Sequence, residues 1–121
     1  MIISFAWTTE TFLAGKKDVT RRLWDDDYAA RFLPGSRHDA YDKSPRFGGK
    51  KVGEVEIVDV RKEPLTRMVE DYDYGIQEIM REGGLWVNPF DFVDAFAAGH
   101  KRPAHEIMVW RVEFKRLDNG R

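Results

Sequence analysis

Two stretches in which apolar and polar residues alternate constrain the fold most. Residues 52–60 and residues 105–117 both show this pattern, which is typical of β-strands because successive side chains point to opposite faces. A short apolar run at residues 2–6 predicts a further, buried strand. Strands at the start, middle and end, with helical segments between them, favour a small mixed β-barrel over repeated βαβ units. We therefore predict an α+β fold.

The segments between these strands carry helix signals. Thr8 or Thr9 can cap a short helix that ends at Gly15. Asn88 followed by Pro89 is typical of a helix start, since Asn caps and Pro suits the first helical position. The other predicted helices are 25–33, 65–70 and 76–81. Residues 34–51, rich in Gly, Pro and basic residues, are predicted to form a long surface loop.

Length and composition exclude several classes of protein. The 121 residues fit a single domain, 1–121. The formal charge of -1 lacks the basic excess of proteins that bind long nucleic acids, so any RNA contact must come from a local patch.

No stretch approaches the roughly 20 apolar residues of a membrane span. The absence of cysteine excludes disulfides and thiol nucleophiles and fits a reducing cytoplasm. We expect a cytoplasmic monomer without a membrane partner.

Metal and cofactor motifs are absent from the sequence. His38, His100 and His105 lack the close spacing of a helical zinc pair and are predicted to lie in solvent-exposed loops. The acidic run 25–27 is explained by the favourable interaction of carboxylates with a helix N-terminus. We therefore predict no metal and no cofactor.

The segment that follows Gly15 groups polar side chains of different chemistry. Thr20 and Arg22 share one face of an extended chain, and Lys17 lies at the bend before them. Together they offer a hydroxyl, a guanidinium and an ammonium group to one small polar ligand, although a solvated basic loop has the same composition. Arg21 points to the opposite face and is not expected to join them.

At this segment the sequence resembles a known family. The run FLAGKKDVTRR, residues 12–22, resembles the signature of ASCH domains, in which Gly, Lys, Thr and Arg follow the first helix. Further runs resemble later parts of the family pattern in the same order: FLPGSRH, VGEVEIVDVRKEPL, EIMREGG and EIMVWRVEF. The resemblance spans most of the chain. It implies a PUA-like β-barrel with inserted helices and a cleft lined by the signature residues.

The resemblance also implies an activity. Some small ASCH proteins are metal-free amidohydrolases that deacylate N4-acetylcytidine with a Lys and a Thr of the signature and a Glu of the later helix. These positions correspond here to Lys17, Thr20 and Glu82, with Glu78 and Asp73 as alternatives for the acid. Thr20 would be the nucleophile, Lys17 the base if burial and Arg22 lower its pKa, and Glu82 would protonate the amine or orient Lys17. The residues predicted to bind the nucleobase or nucleoside are Ser4, Phe5, Trp7, Arg22 and Arg46.

Two features depart from the small amidohydrolases, namely Arg21 and a basic arm at residues 37–51. The arm interleaves basic residues with Tyr41 and Phe47, a pattern that suits RNA contacts. It could instead close over the cleft, with Gly48 and Gly49 as a hinge. The alternative functions are therefore an RNA-binding module without catalysis and an RNA-cleaving protein that uses the same cleft.

Overall fold

The structure is a computed structural model that describes residues 1–117, and these residues form five strands and five α-helices. The strands are β1 (Ile2–Ser4), β2 (Val19–Arg22), β3 (Arg37–Tyr41), β4 (Lys51–Pro64) and β5 (Met108–Leu117). The helices are α1 (Thr9–Leu13), α2 (Asp26–Ala29), α3 (Arg67–Glu70), α4 (Tyr72–Arg81) and α5 (Pro89–His100). None of the helices in this range combines the length and the apolar character needed to cross a membrane.

The five strands form one strongly curled sheet, a half-barrel, in the order β1-β3-β4-β5-β2. β1 runs parallel to β3, and the other neighbours are antiparallel. The register of β4 against β5 shifts between Ile57 and Asp59, and such a bulge bends a strand and increases its twist. The predicted α+β class and PUA-like barrel are confirmed. Because β1 and β2 are the two edges of the sheet, residues on both can line a cleft at its open side.

The prediction of a long loop over residues 34–51 was wrong. Its first part is β3, which pairs with β1 on one side and β4 on the other. This strand lacks an apolar pattern of its own and is stabilised by its two neighbours. His38 is buried rather than solvent-exposed, because its ring packs against Phe32 at a centroid distance of 4.4 Å. The basic arm is thereby reduced to the connection at residues 42–50.

The buried side chains form two clusters on opposite faces of the sheet. The cluster within the curl contains Ile3, Phe5, Phe12, Phe32, Ala40, Val55, Ile57, Val112 and Phe114. The cluster under helices α3 to α5 contains Leu65, Met68, Ile79, Phe92, Val93, Ile107 and Val109. The alternation in β5 predicts one apolar face made by Met108, Trp110, Val112 and Phe114, but only Val112 and Phe114 of this set are buried. Because helices cover the second face, Val109 and Arg111 on that side are buried as well.

Two glycines in helices differ in the space around them and provide a test of this packing. Gly75 in α4 faces the backbone carbonyl of Met68, so an added Cβ would collide with main chain that cannot swing away. An added Cβ at Gly99 in α5 would meet no atom within 4 Å. We expect Gly75→Ala to lower the free energy of unfolding by about 1–3 kcal/mol through overpacking, and Gly99→Ala to raise it by about 0.5–1 kcal/mol through helix propensity.

Urea unfolding followed by circular dichroism measures both variants. Equal changes in the free energy of unfolding for the two variants would contradict the close approach of α4 to the chain at Met68.

Candidate functional site

A cleft of about 400 Å³ opens between the two edge strands of the half-barrel. Its walls come from the end of β1, from β2 and the residues around it, from the C-terminal end of α4, and from one face of α5. The predicted site residues that line it are Ser4, Phe5, Trp7, Lys17, Thr20, Arg22 and Glu82. The structure therefore brings together all the predicted site residues except Arg46.

Arg46 lies outside the cleft. It belongs to a short 3-10 helix, Pro45–Phe47, where it is exposed and stacks over the Phe47 ring at 5.9 Å. None of residues 42–50 lines the cleft. Gly48 and Gly49 form a hydrogen-bonded turn, with their N–H groups donating to Pro45 and Ser44 carbonyl oxygens. The expected contribution of Arg46 to substrate binding is thus not supported by its position.

Main-chain contacts on both sides fix the position of Lys17. Gly15 has a φ of +75°, a conformation that favours glycine, and it ends α1 with a turn. The N–H of Asp18 donates to the Arg81 carbonyl oxygen at 2.9 Å. The N–H of Phe114 donates to the Asp18 carbonyl oxygen, also at 2.9 Å. Lys17 is therefore held between β5 and the end of α4.

The two glycines after Glu82 position this acid. Glu82 is the C-cap residue of α4, and its N–H donates to the Glu78 carbonyl oxygen at 2.8 Å. Gly83 has a φ of +127°, and an added Cβ there would lie 2.8 Å from the Thr11 hydroxyl oxygen. Only glycine fits this bend without strain. The chain therefore turns sharply and leaves the buried Glu82 side chain facing Lys17.

Lys17 and Glu82 form a buried ion pair at the wall of the cleft. Lys17 Nζ donates to Glu82 Oε1 at 2.8 Å and to the Glu82 carbonyl oxygen at 2.9 Å. Only 2% of the Lys17 side chain is exposed. Burial lowers the pKa of Lys17 below its ordinary value of 10.5. The charges of Arg22 and Arg21 lower this pKa further, whereas Glu82 acts to raise it.

Arg21 contacts the same carboxylate, contrary to our expectation. Its NH1 donates to Glu82 Oε2 at 3.0 Å, and its NH2 donates to Glu78 Oε1 at 2.6 Å and to Glu63 Oε2 at 3.1 Å. Arg21 does lie on the face opposite Thr20, but α4 packs against β2 and carries acids to that face. The position of a helix relative to a strand is a tertiary feature that local spacing does not reveal.

Arg111 extends these contacts into a charge network. Its Nε donates to Glu78 Oε1 at 2.5 Å and its NH2 to Glu78 Oε2 at 3.1 Å. The buried charges balance as three cations, Lys17, Arg21 and Arg111, and three carboxylates, Glu63, Glu78 and Glu82. Within residues 1–117, no group of three or more His, Asp or Glu side chains is arranged to hold a metal ion.

The contacts discriminate among the three candidate acids. Burial alone would raise the pKa of Glu78, but the hydrogen bonds of Arg111 and the charge of Arg21 hold it at about 2. Asp73 is exposed in the first turn of α4. Glu82 is the acid that contacts Lys17. The geometry therefore favours Glu82 as the partner of Lys17 in the cleft.

Thr20 and Arg22 lie on one face of β2, as their spacing predicts. Arg22 Nε donates to the Thr20 hydroxyl oxygen at 3.1 Å. The Arg22 guanidinium also lies over the Phe5 ring at 5.6 Å. The Thr20 hydroxyl therefore accepts a hydrogen bond at the wall of the cleft and keeps its own proton available for transfer.

The cleft has an aromatic wall that we did not predict from the sequence. Trp86, Phe92, Phe96 and His100 line this side. Phe92, Phe96 and His100 recur every four residues and so share one face of α5, a periodicity that could have identified them. His100 is exposed, as we expected, but it is the last residue of α5 rather than part of a loop, and its ring lies 4.5 Å from the Phe96 ring.

Removal of Glu78 tests the charge network. Glu78→Gln leaves Arg21 and Arg111 without their shared carboxylate, and we expect a loss of about 3–5 kcal/mol in the free energy of unfolding at pH 7. The folded pKa of Glu78 lies near 2, against an ordinary value of 4.5. Its stabilisation is therefore complete above pH 4.5 and disappears as the pH falls towards 2. The difference between wild type and variant should narrow over this range in urea unfolding.

Asp73→Asn is the matched control, since it neutralises an exposed carboxylate of the same helix and should change stability by about 0.5 kcal/mol or less. A Glu78→Gln difference that stays constant from pH 5 to pH 2 would contradict the assignment.

Similarity to known proteins is confined to solved structures, since no family model and no curated protein matches the sequence. Hypothetical protein PH0355 is similar with a TM-score of 0.66 and 18% identity, covering 96% of this chain and 97% of that one. An ASCH domain from Lactobacillus crispatus JV V101 has a TM-score of 0.66 and 15% identity, covering 95% and 77%. Protein EF3133 from Enterococcus faecalis V583 has a TM-score of 0.58 and 12% identity, covering 93% and 71%. The chain therefore has the ASCH-type fold.

Proposed function

We propose that the protein is a metal-free amidohydrolase that removes the acyl group from N4-acylated cytosine or cytidine. The observation that carries the proposal is the convergence of Lys17, Thr20 and Glu82 on one cleft, with Lys17 Nζ 2.8 Å from Glu82 Oε1. These residue types provide a base, a nucleophile and an acid. The resemblance of residues 12–22 to the ASCH signature supports the same assignment.

The shape and chemistry of the cleft suit a nucleobase or nucleoside. Its volume of about 400 Å³ lies in the range of small-molecule sites. Trp7 and Trp86 provide aromatic surfaces against which a planar or apolar part of the substrate can pack. Ser4 and Arg22 provide hydrogen-bonding groups for the polar edge of the base. A site with both kinds of wall can orient a cytosine ring and hold its exocyclic amide at Thr20.

The proposed reaction proceeds in two steps. The Thr20 hydroxyl oxygen bonds to the acyl carbon while Lys17 in its neutral form accepts the hydroxyl proton. The carbon–nitrogen bond then breaks, and the cytosine amine leaves with a proton returned from the Lys17 and Glu82 pair. Water hydrolyses the acyl ester of Thr20 and regenerates the hydroxyl. In total, one water molecule converts the amide into a carboxylic acid and an amine.

Removal of the Lys17 amine tests the proposal. Lys17→Met keeps an apolar stem of similar length and should lower kcat/KM for N4-acetylcytidine by about 100-fold or more, because a positioned base contributes at least this much. Turnover is measured by the absorbance change on deacylation, with a chelator present throughout. The wild-type rate should be unaffected by the chelator.

Lys16→Met is the matched control, since Lys16 is exposed and does not line the cleft. It should retain wild-type turnover. Absence of turnover by folded wild-type protein, or equal turnover by Lys17→Met, would contradict the proposal. Salt-dependent RNA binding without turnover would instead support a binding module.

A further inference from the structure

The cleft is the middle one of three connected pockets. A pocket of about 390 Å³ adjoins it and shares Ser4, Arg22, Leu23 and Trp24 with it. We call this pocket the polar lobe, because it also contains Asp25 and the Tyr28 ring with its hydroxyl. On the other side lies a smaller pocket of about 230 Å³, here called the aromatic annex. Lys17, Thr20 and Glu82 therefore lie between a polar and an apolar compartment.

The aromatic annex has walls of packed rings. It shares Trp7, Trp86, Phe92, Phe96 and His100 with the cleft. Trp7 meets Trp86 edge-on at 5.4 Å, and Trp86 meets Phe92 edge-on at 4.6 Å. Such edge-to-face contacts favour this arrangement of the rings, in which Trp7 remains 68% exposed. His100 provides the only ionisable side chain among the residues that line this pocket.

Two small residues of α5 keep the annex open. Ala95 and Gly99 line the annex but do not line the cleft. Both are exposed, and an added Cβ at Gly99 would meet no atom within 4 Å, so this side of the annex is open to solvent. The annex can therefore be filled by substitution without a change in the residues around Lys17.

We propose that the aromatic annex binds the apolar part of an acyl group larger than acetyl, so that the preferred substrates are cytosine nucleosides with an aromatic N4-acyl group. This inference rests on the proposed amidohydrolase function. When the scissile amide lies at Thr20, the two substituents of the amide extend to opposite sides of the cleft. The methyl group of an acetyl substituent is too short to fill the annex, whereas a phenyl ring fits a pocket of this size and character.

The polarity of the two compartments sets the orientation of the substrate. The cytosine ring carries a carbonyl oxygen and a ring nitrogen that need hydrogen-bond donors. In the annex, whose lining is mainly rings and small apolar side chains, these groups would find fewer hydrogen-bond donors. Near Ser4 and Arg22 they find donors. The base therefore faces the polar lobe, and the acyl group faces the annex.

The reaction is the same hydrolysis with a different acyl group. The bond between the benzoyl carbon and the cytosine N4 breaks, the N4 amine keeps the electron pair and gains a proton, and water provides the hydroxyl of benzoic acid. No oxidant, metal or other co-reactant is needed.

Steady-state kinetics with two substrates test the inference. Wild-type protein should show a kcat/KM for N4-benzoylcytidine about 10-fold or more above that for N4-acetylcytidine, as expected for burial of a further apolar group. Ala95→Phe fills the annex and should remove this advantage while turnover of N4-acetylcytidine remains. Gly99→Leu fills the same space from another position and should have the same effect. Ala98→Phe, an exposed position of α5 outside all three pockets, is the matched control and should change neither rate.

Each other outcome overturns the inference in a distinguishable way. Equal or better turnover of the acetyl substrate by wild type would leave the amidohydrolase function intact and exclude the annex as an acyl site. Equal losses of kcat/KM on both substrates in Ala95→Phe and Gly99→Leu would also exclude the annex as an acyl site and leave the amidohydrolase function intact. No turnover of either substrate by wild type would overturn the proposed function together with the inference.

Discussion

The position of α4 against the sheet and the geometry of the cleft both depend on Arg21, which contacts three carboxylates. Arg21 comes from β2, Glu63 from β4 and Glu78 from α4, while Glu82 caps α4. A buried charge is costly unless all its partners are in place with good geometry. These three ion pairs of Arg21 therefore form together in one arrangement of α4 against the sheet. Its side chains are almost fully inaccessible to water, so the arrangement does not depend on weak surface ion pairs.

The same network orients Lys17 and Glu82. Arg21 occupies Glu82 Oε2, which leaves Oε1 to Lys17. Lys17 also donates to the carbonyl oxygen of Glu82 at the end of α4, where a cation interacts favourably with the helix dipole. The amine is thus held by two acceptors at the wall of the cleft rather than left free on a flexible stem. Stability and the proposed chemistry share the Glu82 carboxylate.

Sequence patterns predicted the strands and helix ends whose formation depends on residues close together in the chain. The alternation in residues 52–60 and 105–117 located β4 and β5, and Asn88 marked the start of α5. β3 was missed because its residues show no run of apolar side chains, and the strand forms by pairing with β1 and β4. Spacing grouped Lys17, Thr20 and Arg22, and the resemblance at residues 12–22 and 78–84 added Glu82 and the proposed catalytic roles. Arg21 was excluded because the spacing of a strand does not show that a helix brings acids to its other face.

Titration of the Lys17 amine by NMR tests most directly whether the buried network prepares this residue for catalysis. The Nζ signal can be assigned by its absence in Lys17→Met and followed from pH 6 to pH 12. Burial predicts a pKa below the ordinary value of 10.5 for this amine, with the neutral form populated at lower pH than in an exposed lysine. A pKa at or above 10.5 would show that the ion pair with Glu82 outweighs burial, and would contradict the role of Lys17 as a base.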